Sequence, residues 1–146
     1  MDPDVDLHVP AQQRELTPSP LPVLAAVSAG GVLGALARYG LAQAWPHEAG
    51  GFAWSTLLIN VTGCFLIGVL MVIIARVTPD QRLLRPFLGV GVLGGYTTFS
   101  TYVVDIYRAA GAGAPWTALS YLGSTLAGAT AAVWAGTALT SRLVRR

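Results

Sequence analysis

The sequence predicts an all-α membrane protein with four transmembrane helices, and three observations carry the prediction. The chain is 53% hydrophobic and only 11% charged, where soluble domains run at about 25% charged. Four windows reach the roughly 20 apolar residues that a helix needs to cross a bilayer. Short segments punctuated by proline and glycine separate them: QAWPHEAG, RVTPDQR and RAAGAGAP. Hydrocarbon offers no water to backbone amides, so the spans must be helices. A soluble four-helix bundle would need a broad charged face on each helix, and no window has one. The 146 residues suffice for one domain.

Residues 1–20, MDPDVDLHVPAQQRELTPSP, are acidic and proline-rich. They lack the basic start and apolar stretch of a secretory signal and read as a disordered tail, with His8 solvated. The first span covers about residues 21–44. It holds one charge, Arg38, in GALARYG. Arginine in hydrocarbon costs roughly 2.5–3.5 kcal/mol on insertion scales. It either snorkels to the nearby interface or sits as a fixed positive charge at a water-filled vestibule, where it attracts anions.

The second span covers about residues 52–75. Asn60 stands at its centre, with Thr56 one turn before and Thr62 two residues after. Asparagine offers two N–H donors, so it can bond a neighbouring helix or hold an anion without carrying charge. Cys64 is the single cysteine. It excludes an internal disulfide and a cysteine-based metal cluster and reads as packing.

The third span covers about residues 83–107 and contains GVLGGYTTFSTYVVD. Gly94 and Gly95 predict a break in the helix near residues 94–98. A break frees carbonyls, and these survive in a membrane only where they face protein, water or an ion. Hard cations take such oxygens, as in broken transporter helices. Phe99 and Tyr102, three apart, share a face; an aromatic edge is electropositive and can meet an anion weakly. The pairs Gly30 and Gly34, and Gly91 and Gly95, have the four-residue spacing of close helix packing.

The fourth span covers about residues 115–139. Ser120 and Ser124 lie on one face and, with Thr56 and Asn60, form a candidate track of neutral donors. Thr125 and Thr130 are expected to point elsewhere. Residues 141–146 form a basic tail.

All nine basic residues are arginine. They make no stripe suited to nucleic acid. An even number of spans puts both termini on one side, together with Arg14, Arg76, Arg82, Arg85, Arg142, Arg145 and Arg146. Only Arg108 falls on the other. By the positive-inside bias both termini are expected in the cytoplasm of a multi-pass cell-membrane protein. Four short helices enclose little volume, so a pathway is more plausible between subunits.

The run GGYTTFSTY, with GALARYG upstream and INVTGCFLIG between, resembles the Fluc (CrcB) family of fluoride channels. The resemblance spans about residues 22–140. It implies a dual-topology, antiparallel dimer with two fluoride pores that exports toxic fluoride passively. It also implies a structural sodium ion (Na+) at the dimer centre, not transported, on the carbonyls of Gly94 and Thr97 and their symmetric mates. Motif by motif, the pore aromatics fall on Phe99 and Tyr102, the pore asparagine on Asn60 and its threonine on Thr56. The polar track of the third helix falls on Ser100 and Thr101, and that of the fourth on Ser124 and Ser120. The vestibule arginine falls on Arg38. The acidic residue after the aromatic pair falls on Asp105, shorter than the usual glutamate. Tyr102 stands where a second phenylalanine is common, and its hydroxyl is expected to make the pore more polar. A homodimer inserted both ways should have balanced loops. The arginine bias argues instead for one orientation and an oppositely inserted paralogue as partner.

Rival readings fit less well. A small dual-topology multidrug or cation exporter needs an acidic residue in the first span, and residues 25–46 contain none. A potassium-type filter lacks its carbonyl-ladder sequence. A non-transporting membrane subunit leaves Asn60, Arg38 and the serine pair unexplained. No nucleophile with a base or metal constellation suggests an enzyme. His47-Glu48 reads as a loop dipeptide without a partner.

Overall fold

In a computed structural model of the chain, residues 20–78 and 80–144 are described. The expected tail up to residue 19, with His8 and Arg14, lies outside them, as do Arg145 and Arg146. The described residues are helical and include no strand. The first span is α1 (Leu21–Ala44) and the second α2 (Trp54–Arg76). The third is built from α3 (Arg85–Leu93), α4 (Gly94–Tyr96) and α5 (Ser100–Gly111). The fourth is α6 (Pro115–Val144). Leu21–Ala44, Trp54–Arg76 and Arg85–Gly111 are each long and apolar enough to cross a membrane. The 30-residue α6 is long enough too, but serine and threonine recur along it.

The helices begin and end where local chemistry dictates. Pro22 and Pro86 sit in the first turns of α1 and α3, where the missing N–H is no loss. The turn between α5 and α6 passes through Gly113 at φ 77°, a left-handed conformation that glycine adopts without strain. The α3 stretch is wound as a π-helix, a wider coil with i→i+5 bonds that is rare outside single turns. The sequence carries no side-chain signal for it, and an ordinary helix is the expectation there.

Packing follows the glycines. α1 lies against α3 and α4, α2 against α6, and α5 against α6. The pairs at four-residue spacing meet each other: a Cβ on Gly91 would stand 2.9 Å from the Gly30 Cα, and one on Gly95 would stand 3.1 Å from the Gly31 Cα. Gly34 is closed off by the Val92 carbonyl, and Gly136 on α6 by the Phe65 carbonyl on α2. Backbones in direct contact gain dispersion energy that lipid-facing leucines cannot supply. The chain's own core is correspondingly thin. Ile59 and Tyr121 are its largest fully buried side chains, while Leu24, Leu33, Leu36 and Leu126 remain exposed.

The seam predicts a contrast. Gly34→Ala should destabilise the protein by roughly 1–3 kcal/mol, as overpacking does. Gly40→Ala meets nothing within 4 Å and should be neutral or gain up to about 1 kcal/mol of helix propensity. Thermal unfolding in detergent separates the two, and equal midpoints would remove the seam as a source of stability.

Candidate functional site

The third span is interrupted at residues 97–99, just beyond the paired glycines. Gly94 is still helical, at φ −66° and ψ −37°. Thr97 turns extended, at φ −75° and ψ 159°. Gly94 and Gly95 therefore do not form the break itself; Gly95 serves the contact with α1, and the chain opens one turn later.

Side chains from other spans repair the opening. Asn60 grips Thr98 from both sides: its Oδ1 accepts from the Thr98 N–H at 2.9 Å, and its Nδ2 donates to the Thr98 carbonyl at 2.9 Å. Arg38 Nε donates to the Gly95 carbonyl at 3.1 Å. A half-buried guanidinium thus meets the C-terminal end of α4, where the helix dipole favours a cation. Arg38 does not simply snorkel. The Thr98 hydroxyl accepts from the Thr101 N–H at 3.1 Å and so caps α5, while donating to the Thr101 hydroxyl. Gly63 on α2 leaves the room that the Thr97 methyl occupies.

The repair is incomplete. Among the described residues, no hydrogen bond reaches the carbonyls of Gly94 or Thr97. Both residues line a cavity of about 500 Å³, together with Asn60, Phe99, Tyr102 and Thr125. Carbonyl oxygens without donors are suited to a hard cation.

The Phe99 and Tyr102 rings lie 5.9 Å apart and are tilted by 50°. Their environments differ sharply: Phe99 is 74% exposed and Tyr102 only 5%. The Tyr102 hydroxyl donates to the Leu122 carbonyl on α6 at 3.0 Å. It is committed to a neighbouring helix, which revises the expectation that it adds a free polar group.

On α6 the expected face and the buried face differ. Ser120 and Ser124 are exposed, and their hydroxyls return to their own helix at Thr117 and Tyr121. The chain does not bring them together with Asn60. Thr125, expected to point elsewhere, is 5% exposed and lines the cavity. Its hydroxyl and that of Tyr121 are buried without a hydrogen-bond partner. Sequence reasoning missed both. The available signal was that Thr125 and Tyr121 are four apart, one helical turn, on the face adjoining the serines. Ser100 is exposed.

A second cavity, of about 200 Å³, lies between α1, α2 and the start of α5. Arg38, Thr56, Thr98 and Thr101 are in its wall. Thr56 also donates to Asp105 Oδ2 at 2.9 Å. The other oxygen of Asp105 faces His47 Nε2 at 3.5 Å. His47 therefore has a partner, contrary to its reading as an isolated loop residue. A separation of 58 positions in the sequence hides a contact that only the fold creates.

Comparison with known proteins places this arrangement. A family model described as CrcB-like protein, Camphor Resistance (CrcB), matches residues 25–137. The Fluoride-specific ion channel FluC 2 of Streptomyces avermitilis is 51% identical over 125 residues, covering 86% of this chain and 79% of that protein. The FluC 2 of Nocardia farcinica is 48% identical over 131 residues, covering 90% and 91%. Streptomyces avermitilis also has a FluC 3, 48% identical over 91 residues, or 62% of this chain and 45% of that protein.

The Asn60 clamp makes a stability prediction. Asn60→Leu leaves the Thr98 N–H and C=O without partners, at roughly 1–3 kcal/mol for each unsatisfied group. Hydrogen exchange at residues 97–101 should accelerate, and the unfolding midpoint should fall. Unchanged exchange would mean that the break does not depend on Asn60.

Proposed function

The chain belongs to the CrcB family, and from that membership we propose that it is a fluoride-selective channel exporting fluoride passively from the cytoplasm and lowering its toxicity. The family is one of channels, not of enzymes. The observation that carries the reading is the broken third span, held open by Asn60 over a cavity whose polar lining is neutral.

The chemistry suits fluoride, a small and strongly hydrated acceptor. A pathway must replace its water with donors, yet bind weakly enough to release it. Asn60 spends one amide N–H on Thr98 and keeps a second. The Thr125 and Tyr121 hydroxyls are buried and unpartnered. Phe99 offers a ring edge, the positive part of its quadrupole. Thr56, Ser100, Thr101 and Asp105 continue the polar surface along the second and third spans, and Ser120 and Ser124 do so on the outer face of α6. Arg38, spent in part on Gly95, keeps its terminal nitrogens to concentrate anions nearby.

The carbonyls of Gly94 and Thr97 would hold a structural sodium ion with their mates from a second subunit. Their lack of donors supports this. Sodium would supply fixed positive charge that ties two broken helices together. The exposed apolar faces and the open cavity favour an antiparallel dimer in the cell membrane. Arg76, Arg82, Arg85 and Arg142 on the cytoplasmic side against Arg108 opposite favour one orientation per chain. The numbered FluC proteins of Streptomyces avermitilis make an oppositely inserted paralogue a natural partner, with a homodimer as the alternative.

Ion efflux from liposomes holding this purified protein, with sodium present, tests the reading. Fluoride should leave and chloride should not. If the protein alone is silent, adding the paralogue should restore fluoride efflux. Silence in both arms, or equal passage of chloride, would sink the channel. Tyr102→Phe should keep fluoride selectivity while losing about 1 kcal/mol with the bond to Leu122; loss of transport would mean that the hydroxyl is part of the pathway.

A further inference from the structure

Asp105 is a carboxylate only 4% exposed. A charge removed from water must find donors or an opposite charge. One oxygen has the Thr56 hydroxyl at 2.9 Å. The other has only His47 Nε2, at 3.5 Å, across the loop that joins α1 to α2. This is the one ion pair formed among the described residues. The groups packed around it do not substitute for His47. Tyr121 from α6 and Tyr102 from α5 are neutral phenols. Glu48 beside it in the loop is acidic. Arg108, on the same helix as Asp105, is exposed and makes no ion pair.

The pair is placed to matter. The His47 side chain is 26% exposed, so water and protons reach it. Thr56, which bonds Asp105, also lines the 200 Å³ cavity with Arg38 and Thr101. The carboxylate thus stands one hydrogen bond from an anion-attracting space beside the break. Histidine is the side chain whose charge ordinarily changes between about pH 5 and 8.

We infer that His47 is a positioning residue that balances Asp105 and makes fluoride flux dependent on pH. This rests on the channel reading above. With His47 protonated, the pair is neutral and the loop is drawn onto α5. Where histidine is neutral, at the upper end of that pH range, Asp105 is left as an uncompensated negative charge near the path. Fluoride is repelled and the flux falls.

The test is fluoride efflux from liposomes at equal internal and external pH, from about 5.5 to 8.5, less the leak of protein-free liposomes. It uses whichever assembly conducts, the chain alone or with its paralogue. Wild-type flux should fall roughly three- to tenfold across the range, an order of magnitude that one uncompensated charge can supply. His47→Gln, always neutral, should be slow and flat with pH. His47→Arg, always charged, should be fast and flat. Both changes lie in a loop, and the opposite directions of the two variants exclude a mere folding defect. A His47→Gln profile that superimposes on wild type, or a His47→Arg profile that still falls with pH, would overturn the inference while leaving the channel intact. No fluoride flux at any pH would remove the channel reading and this inference together.

Discussion

A broken helix inside a membrane must find new partners for its backbone, and this constraint organises the molecule. The break at residues 97–99 detaches several peptide groups from the helical ladder. In water they would be solvated; in hydrocarbon each unpaired group costs several kcal/mol. Asn60 takes both groups of Thr98, Arg38 takes the Gly95 carbonyl, and the Thr98 hydroxyl takes the Thr101 N–H. What is left over is the carbonyls of Gly94 and Thr97, which have no donor among the described residues. The polar residues of three different spans are thus explained first by one backbone defect.

Close packing makes the repair possible. Arg38 reaches Gly95 only because α1 lies directly on α3 and α4, and that contact depends on glycine at positions 30, 34, 91 and 95. Gly63 plays the corresponding part for α2, leaving space for the Thr97 methyl beside Asn60. A larger residue at any of these points would move the repairing side chain away from the defect. The small-residue seams and the polar cluster are therefore one device. Neither has much purpose without the other.

A second polar group sits farther along α5. Asp105, Thr56 and His47 join α5 to α2 and to the loop between α1 and α2. Thr56 belongs to this group and to the wall of the smaller cavity, so the two polar groups border the same space. The aromatic layer of Phe52, Tyr102 and Tyr121 packs beside them, with Tyr121 5.3 Å from Phe52 and 5.4 Å from Tyr102. It is among the few places where large side chains are buried within this chain. It anchors α6 against α5 where polar side chains alone would be held loosely.

Much of this was legible in the sequence. The number of spans followed from hydropathy and loop punctuation, because the bilayer fixes span length. The first span was read at residues 21–44 and is found there. Glycines four apart foretold close packing, since helix periodicity puts them on one face. Asn60, Arg38 and the aromatic pair stood out because polar groups are rare in hydrocarbon. Other features depended on contacts between distant parts of the chain. The break lies after the glycines, because Gly95 is needed for packing and Asn60 stabilises the opening at Thr98. Thr125 faces inward instead of Ser124, because the rotation of α6 is set by the packing of Gly136 and Tyr121. His47 meets Asp105 because a loop folds back onto a helix from a later span. Hydropathy and spacing act along one helix and can be read from one segment. Rotation, register and side-chain partners are set by what the other helices leave room for, and only the assembled fold contains that information.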